Sequence, residues 1–411
     1  MKPAADSEKR SSRRLCETLS PRPQMPKLVV SVLFALFAYL VPAFSEVTAV
    51  AVAFLAAVVL YTAFMMRSVG AIVAVSVGTM ILFLTFGTAP AALILAVTTG
   101  NAVVSWLLTS FRRPTAYGAL AIPLLAVLLT LLLPGDHSVL PVLLMLPVLA
   151  LLCVSAIPTL SRGVATCITA GGYLVSALLL LLVCLQKNGE ISFAAVGTLL
   201  DQLQEDALQS ALLLRDQLIA LWEETAAKEN GEAFRKAAET LKNTLNETVL
   251  RDVISSAFRI LPGTILGLSS VLGYLTHTYL LLCYGACGWR SAIPQQMSTL
   301  RMSGVSALLY CTALFVTFFA TPEDLFGALC WNLFLMLLPA FLLLGAGTLL
   351  GKVRAARGGG RFFLLSGTLF LLCCIGMETF RLLSLIGAFA VLLGILRRKG
   401  NTDPDDNGNQ T

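Results

Sequence analysis

Charge is scarce in this chain: Asp, Glu, Lys and Arg make up 13% of its 411 residues, against roughly a quarter in a soluble globular domain. That shortfall excludes an ordinary water-soluble fold. Signatures of nucleotide and catalytic chemistry are missing as well. There is no GxxxxGKS or GxxxxGKT phosphate loop, no GxGxxG after a strand, no HExxH, no GxSxG and no carboxylate cluster inside an apolar run. ATP hydrolysis by this chain and intramembrane proteolysis both lack the residues they need. No aromatic and basic pattern suited to nucleic acid is present either. The expectation is a chain without metal or cofactor, leaning away from enzymatic activity. Of the ten cysteines, nine fall inside apolar runs and Cys16 lies in the N-terminal tail. None forms a CxxC, so they read as small buried hydrophobes rather than bridges or ligands. Cys283 and Cys287 share a helix face but have no further ligands beside them.

What is abundant is apolar sequence, 57% of the chain, laid out in runs that short polar turns separate. A helix needs about 20 residues to cross some 30 Å of hydrocarbon. On that measure the runs predict membrane helices at 28–44, 47–66, 69–86, 89–108, 117–133, 139–159 and 164–185, then at 260–287, 304–320, 325–350, 362–377 and 382–396. Taken as one helix, 362–396 would reach about 52 Å, too long for a bilayer, so a turn at Glu378 to Arg381 divides it. A re-entrant hairpin is the alternative there. The fold class is thus all-α integral membrane, with about 12 crossings. Its domains are a basic tail (1–27), a seven-helix part (28–185), a polar segment (186–259), a five-helix part (260–396) and a polar tail (397–411). The first 27 residues lack an apolar stretch of their own and read as a tail rather than a cleavable signal.

The distribution of Lys and Arg tests this count, because they collect on the cytoplasmic side in short loops. With the N-terminus inside, the inner loops and tails hold 20 of the 29 basic residues, and the opposite short loops hold Arg381 alone. One helix more or fewer near the middle would invert the pattern on one side. Twelve crossings with both termini cytoplasmic follow, and they place 186–259 outside. That segment carries 12 of the 23 acidic residues and eight basic ones. In it Val196, Leu200, Leu203, Ala207, Ala211, Leu214, Leu218 and Leu221 recur at helical steps, Asn230 and Gly231 interrupt, and a second stripe runs through Phe234, Ala238, Leu241, Leu245 and Val249. The pattern predicts an amphipathic helical hairpin. Two apolar faces need cover, which makes Leu200, Leu203, Leu214, Leu218, Leu241 and Leu245 a candidate face for a second copy or a membrane protein partner, besides the lipid bilayer.

Polar groups in the apolar runs are few, and each costs energy in a bilayer. Thr98, Thr99 and Asn101 occupy the middle of the fourth run. His277 and Thr278, with Thr276, occupy the eighth. A solute or proton site could form there. The ordinary reading is an interhelical hydrogen bond worth about 1 kcal/mol. Glu378 and Arg381 could pair across one turn. Asn332, beside Trp331, reads as a headgroup-level anchor. Gly263-xxx-Gly267 and Gly347-xxx-Gly351 have the spacing that lets helices approach closely.

The apolar N-terminal helices, the amphipathic insertion, the Leu261-Pro262 step, Arg301, Gly387 and the basic end at Arg397 together resemble the YybS-like family of bacterial membrane proteins. The resemblance spans most of 28–399. The chain departs from the family pattern at Leu300-Arg301-Met302-Ser303 and at Ala388 to Ala390, where an acidic residue is absent. The resemblance implies a multi-pass protein of the bacterial cytoplasmic membrane with no settled activity. The leading expectation is a role in membrane assembly, scaffolding or envelope regulation. The alternative is a permease or solute-binding subunit, similar in the style of its first helices to the substrate-binding components of energy-coupling-factor transporters. A solute site would need a polar cavity reaching Asn101 and His277. A scaffold would show a closed core and an open apolar stripe on the hairpin.

Overall fold

A computed structural model describes residues 25–44, 47–66, 69–110, 162–187, 192–229, 231–286, 302–355 and 377–400. Among them every regular element is an α-helix: α1 Met25–Phe44, α2 Thr48–Met66, α3 Val69–Phe86, α4 Thr88–Ser110, α5 Arg162–Lys187, α6 Phe193–Glu229, α7 Glu232–Thr244, α8 Glu247–Arg259, α9 Leu261–Ala286, α10 Gly304–Val316, α11 Leu325–Ala355 and α12 Met377–Gly400. Helices are what apolar runs must form in a bilayer, where each backbone N–H and C=O has to find its partner within the segment. Six of these, α1 to α4, α9 and α11, are long and apolar enough to cross a membrane. Three more carry shorter apolar stretches, Gly163–Leu178, Gly304–Val316 and Thr379–Gly394. The expected helices 117–133, 139–159 and most of 362–377 lie outside the described residues.

The described residues fall into two compact units, one drawn from 1–180, 266–311 and 337–411, the other from 181–265 and 312–336. In the first, α1 to α4 form a group in which α4 packs on α1, α2 and α3. Their order follows composition. α4 carries Thr98, Thr99, Asn101 and Ser105, all buried, whereas α3, mostly aliphatic, buries Thr79 alone among its residues. Val69, Val73, Val77, Met80 and Leu84 of α3 all face outward. Lipid is as apolar as leucine, so burying leucine gains little there, and small or polar residues take the centre instead. Phe34 anchors the α1–α2 seam, stacked on Tyr61 at 4.2 Å and on Phe54 at 5.7 Å. At the α3–α4 turn Gly87 adopts φ 82° while its N–H bonds the Phe83 carbonyl, a left-handed cap that a side chain would strain.

Close approaches elsewhere in this unit also rest on glycine. A Cβ on Gly273 of α9 would stand 2.7 Å from the Ala170 nitrogen of α5. Where α11 crosses α12, a Cβ on Gly345 would collide with the Leu383 carbonyl, and one on Gly387 with the Phe341 carbonyl. Tyr310 of α10 stacks on Phe341 at 4.6 Å and bonds Ser384 of α12 through its hydroxyl. At Gly351, by contrast, nothing among the described residues lies within 4 Å of an added Cβ. α10 also ends earlier than its apolar run, at Val316. The Thr317 hydroxyl turns back to the Leu314 carbonyl at 2.7 Å, and a short turn follows.

In the second unit α7 and α8 pack on α6, burying Leu208, Ala226 and Ala238. The second stripe of the sequence is two helices rather than one. Asn246 divides it, its side chain accepting the Val249 N–H at 2.9 Å as the N-cap of α8. The interruption frees the Leu245 carbonyl, and Arg215 of α6 donates to it at 3.1 Å while holding Asp216 at 2.7 Å. Arg251 of α8 reaches Glu205 of α6 at 3.4 Å and Glu247 at 3.3 Å. In the same unit Asn332 accepts the Gly263 N–H and donates to the carbonyls of Arg259 and Ala328, both at 2.8 Å. A Cβ on Gly263 would come within 2.5 Å of the Asn332 Cα. Gly263 thus lets α9 meet α11, and Asn332 bonds the two helices together.

Candidate intramembrane polar site

Asn101 is fully buried on the inner face of α4, where an unbonded amide would cost several kcal/mol. Its partners come from two other helices. The Tyr39 hydroxyl of α1 donates to Asn101 Oδ1 at 3.1 Å, and Asn101 Nδ2 donates to the Tyr173 hydroxyl of α5 at 3.3 Å. Tyr173 lies 2.8 Å from Thr276 Oγ1 of α9, and Thr276 in turn donates to the Leu272 carbonyl at 2.7 Å. Thr276 has one hydroxyl proton, given to Leu272, so Tyr173 donates to Thr276. With the amide oriented this way, the bonds run from Tyr39 to Asn101, to Tyr173, to Thr276, to the Leu272 carbonyl. Four helices distant in sequence are joined by one chain of bonds, all pointing the same way.

A second link joins α2 to α9. Thr62 of α2 donates to the Val58 carbonyl at 2.7 Å and accepts from Tyr279 of α9, 2.8 Å away. A third joins α1 and α2: Ser31 donates to the Lys27 carbonyl and accepts from Tyr61, both at 2.6 Å. In each case a small hydroxyl satisfies its own preceding turn and offers its oxygen to a tyrosine from another helix. Membrane helices use this arrangement to gain a directional contact without leaving a donor in hydrocarbon.

Of the six intramembrane residues expected from sequence, Asn101 and Thr276 take part in this chain of bonds. Thr98 and Thr99 are buried, but their hydroxyls bond the Ile94 and Leu95 carbonyls of their own helix. His277 is 1% exposed and Thr278 half-buried on α9, next to the Thr276 that does join. Sequence reasoning missed Tyr39 and Tyr173. The available signal was their depth, since tyrosine in membrane helices belongs at the interfaces and Tyr173 sits in the middle of its run. No family model matches this chain, and neither a curated protein nor a solved structure is similar to it. The geometry alone must carry the reading.

The other candidates are dispersed. Arg381 is half-buried on α12, with its carbonyl accepting from Ser384 at 2.8 Å; the Glu378 side chain lies outside the described residues. On α6, Leu203, Leu214 and Leu218 are 46%, 59% and 45% exposed, and Leu221 is 57% exposed beside them. Leu200 of α6, Leu241 of α7 and Leu245 at its end are half-buried. The stripe seen in the sequence therefore splits. The side of α6 that carries Leu208 and Arg215 meets α7 and α8, and the side about a quarter-turn away stays open.

Proposed function

We propose that this chain is a non-enzymatic, multi-pass protein of a bacterial cytoplasmic membrane, crossing it twelve times with both termini cytoplasmic. Residues 186–259 form an extracytoplasmic helical hairpin that meets a second copy or another membrane protein, in a role in assembly, scaffolding or envelope regulation. The observation that carries this reading is the row Leu203, Leu214, Leu218 and Leu221, open on a helix whose neighbouring face is already covered. A hairpin that only packed on itself would have no use for four leucines there. The polar chain at Asn101 supports the same reading. Its groups are buried and bonded to one another, as a helix-fastening device requires, whereas a solute site would hold them ready for a ligand. The YybS-like resemblance agrees with this architecture.

A photo-crosslinking residue in place of Leu214 in the full chain, activated in native membranes, tests the proposal. The expected product is a covalent dimer or one defined heteromeric adduct, lost when Leu218 is also replaced by Asn. Monomer alone at every expression level would overturn it.

A further inference from the structure

The second unit has a charged recess set among apolar side chains too exposed for water. Leu325 is 87% exposed, Phe326 64% and Leu329 61%. Beside them opens a cavity of about 600 Å³ lined by Arg259, Glu323, Asp324, Leu325, Leu329 and Asn332. Arg259, at the end of α8, donates through its guanidinium to the Glu323 backbone carbonyl, which holds the cation at the mouth. Asn332 is engaged with backbone groups on both sides and forms wall rather than ligand.

We propose that this recess binds one phosphatidylethanolamine molecule. The lipid phosphate sits on Arg259, whose planar fork retains donors beyond the one given to Glu323. The ammonium sits between the carboxylates of Glu323 and Asp324, and the acyl chains run along Leu325 and Leu329. Charge selects the headgroup. Two carboxylates against one guanidinium leave the recess net negative, which disfavours an anionic lipid. A choline headgroup matches the charges but has no N–H to donate to the carboxylates. A free phosphate or phosphoamine would leave the leucine walls bare, so the occupant is a membrane lipid. This inference needs only that the helices span a bilayer and stands apart from any role of the α6 leucines.

The full chain, purified in detergent and stripped of lipid, would be given equal amounts of phosphatidylethanolamine, phosphatidylcholine and phosphatidylglycerol, and the bound lipid counted by native mass spectrometry. Phosphatidylethanolamine should exceed each of the others by about threefold, as expected for exposed charge pairs. Arg259→Gln and Asp324→Asn should each bring the ratio to about one. Asp324→Asn keeps the side-chain shape, so it decides the matter should Arg259→Gln not fold. Equal binding of the three lipids, or a preference that survives Asp324→Asn, would overturn the proposal. Soluble phosphoethanolamine should not displace the lipid; displacement would show that the recess serves a soluble phosphoamine instead.

Discussion

The α1–α4 group and the α6–α8 group are built from the same element and sort their residues in opposite ways. In α1–α4 the helix richest in hydroxyl and amide groups, α4, is the most buried, and the aliphatic α3 is the most open. In α6–α8 the charges other than Arg215 lie largely outside, and the buried positions are Leu208, Ala226 and Ala238. The surroundings set the difference. Water rewards burial of apolar area by about 25 cal/mol per Å², and lipid does not, so α4 is held by close packing and directed hydrogen bonds. The open leucines of α6 stand out for this reason. On α3 the same exposure is what lipid dictates; on a segment with charges on its surface it asks for a partner.

Four destabilising substitutions probe that contrast in descending order of effect, with Gly351→Ala as a control for the first and Tyr39→Phe as a cycle partner for the second. Gly387→Leu should be the most damaging, because its side chain would have to displace the Phe341 backbone; a loss of about 3 kcal/mol or more is expected, read by reversible unfolding in mixed micelles. Gly351→Ala, with nothing among the described residues within 4 Å of the new Cβ, should change the same transition by under about 0.5 kcal/mol.

Asn101→Leu removes both of its interhelical bonds and should cost about 1–2 kcal/mol. A double-mutant cycle with Tyr39→Phe should return a coupling of about 0.6 kcal/mol; a coupling of zero would mean that the Tyr39–Asn101 bond does not help to hold α4. Asn332→Ala should come next, at about 1 kcal/mol, and should speed amide exchange at Gly263, whose N–H it leaves without its acceptor. The smallest of the four effects belongs to the α6–α8 group. Arg251→Gln breaks exposed pairs to Glu205 and Glu247 and should cost under about 0.5 kcal/mol, vanishing in high salt.

How much of this could be read from the residues varies with the range of the interaction. The runs and the turn at Gly87 are local, and the expected helix ends at 86 and 89 match α3 and α4 to within a residue. Asn101 was visible as an amide in an apolar run. Its partners were not, since they lie 62 and 72 residues away and a tyrosine in a hydrophobic stretch carries no mark of what it bonds. Small-residue spacing pointed to Gly263 and equally to Gly351, yet only a neighbour's backbone decides which one is a contact. The opposing glycines of α11 and α12, Gly345 and Gly387, sit on different helices and make no motif at all. The second stripe of the polar segment was read through Asn246 because apolar periodicity continues across it. The capping bond to Val249 was a local signal that could have divided it.

The split surface of α6 is the centre of this account, and cysteine accessibility measures it most directly. In a background without native cysteines, Leu214→Cys and Glu223→Cys place thiols on opposite sides of α6, nine residues or half a turn apart in phase. Both side chains are exposed in the single chain. In native membranes an impermeant maleimide should label the Glu223 position rapidly and the Leu214 position at least about tenfold more slowly, with protection lost when the protein is diluted in detergent. Equal labelling of the two positions in membranes would contradict it.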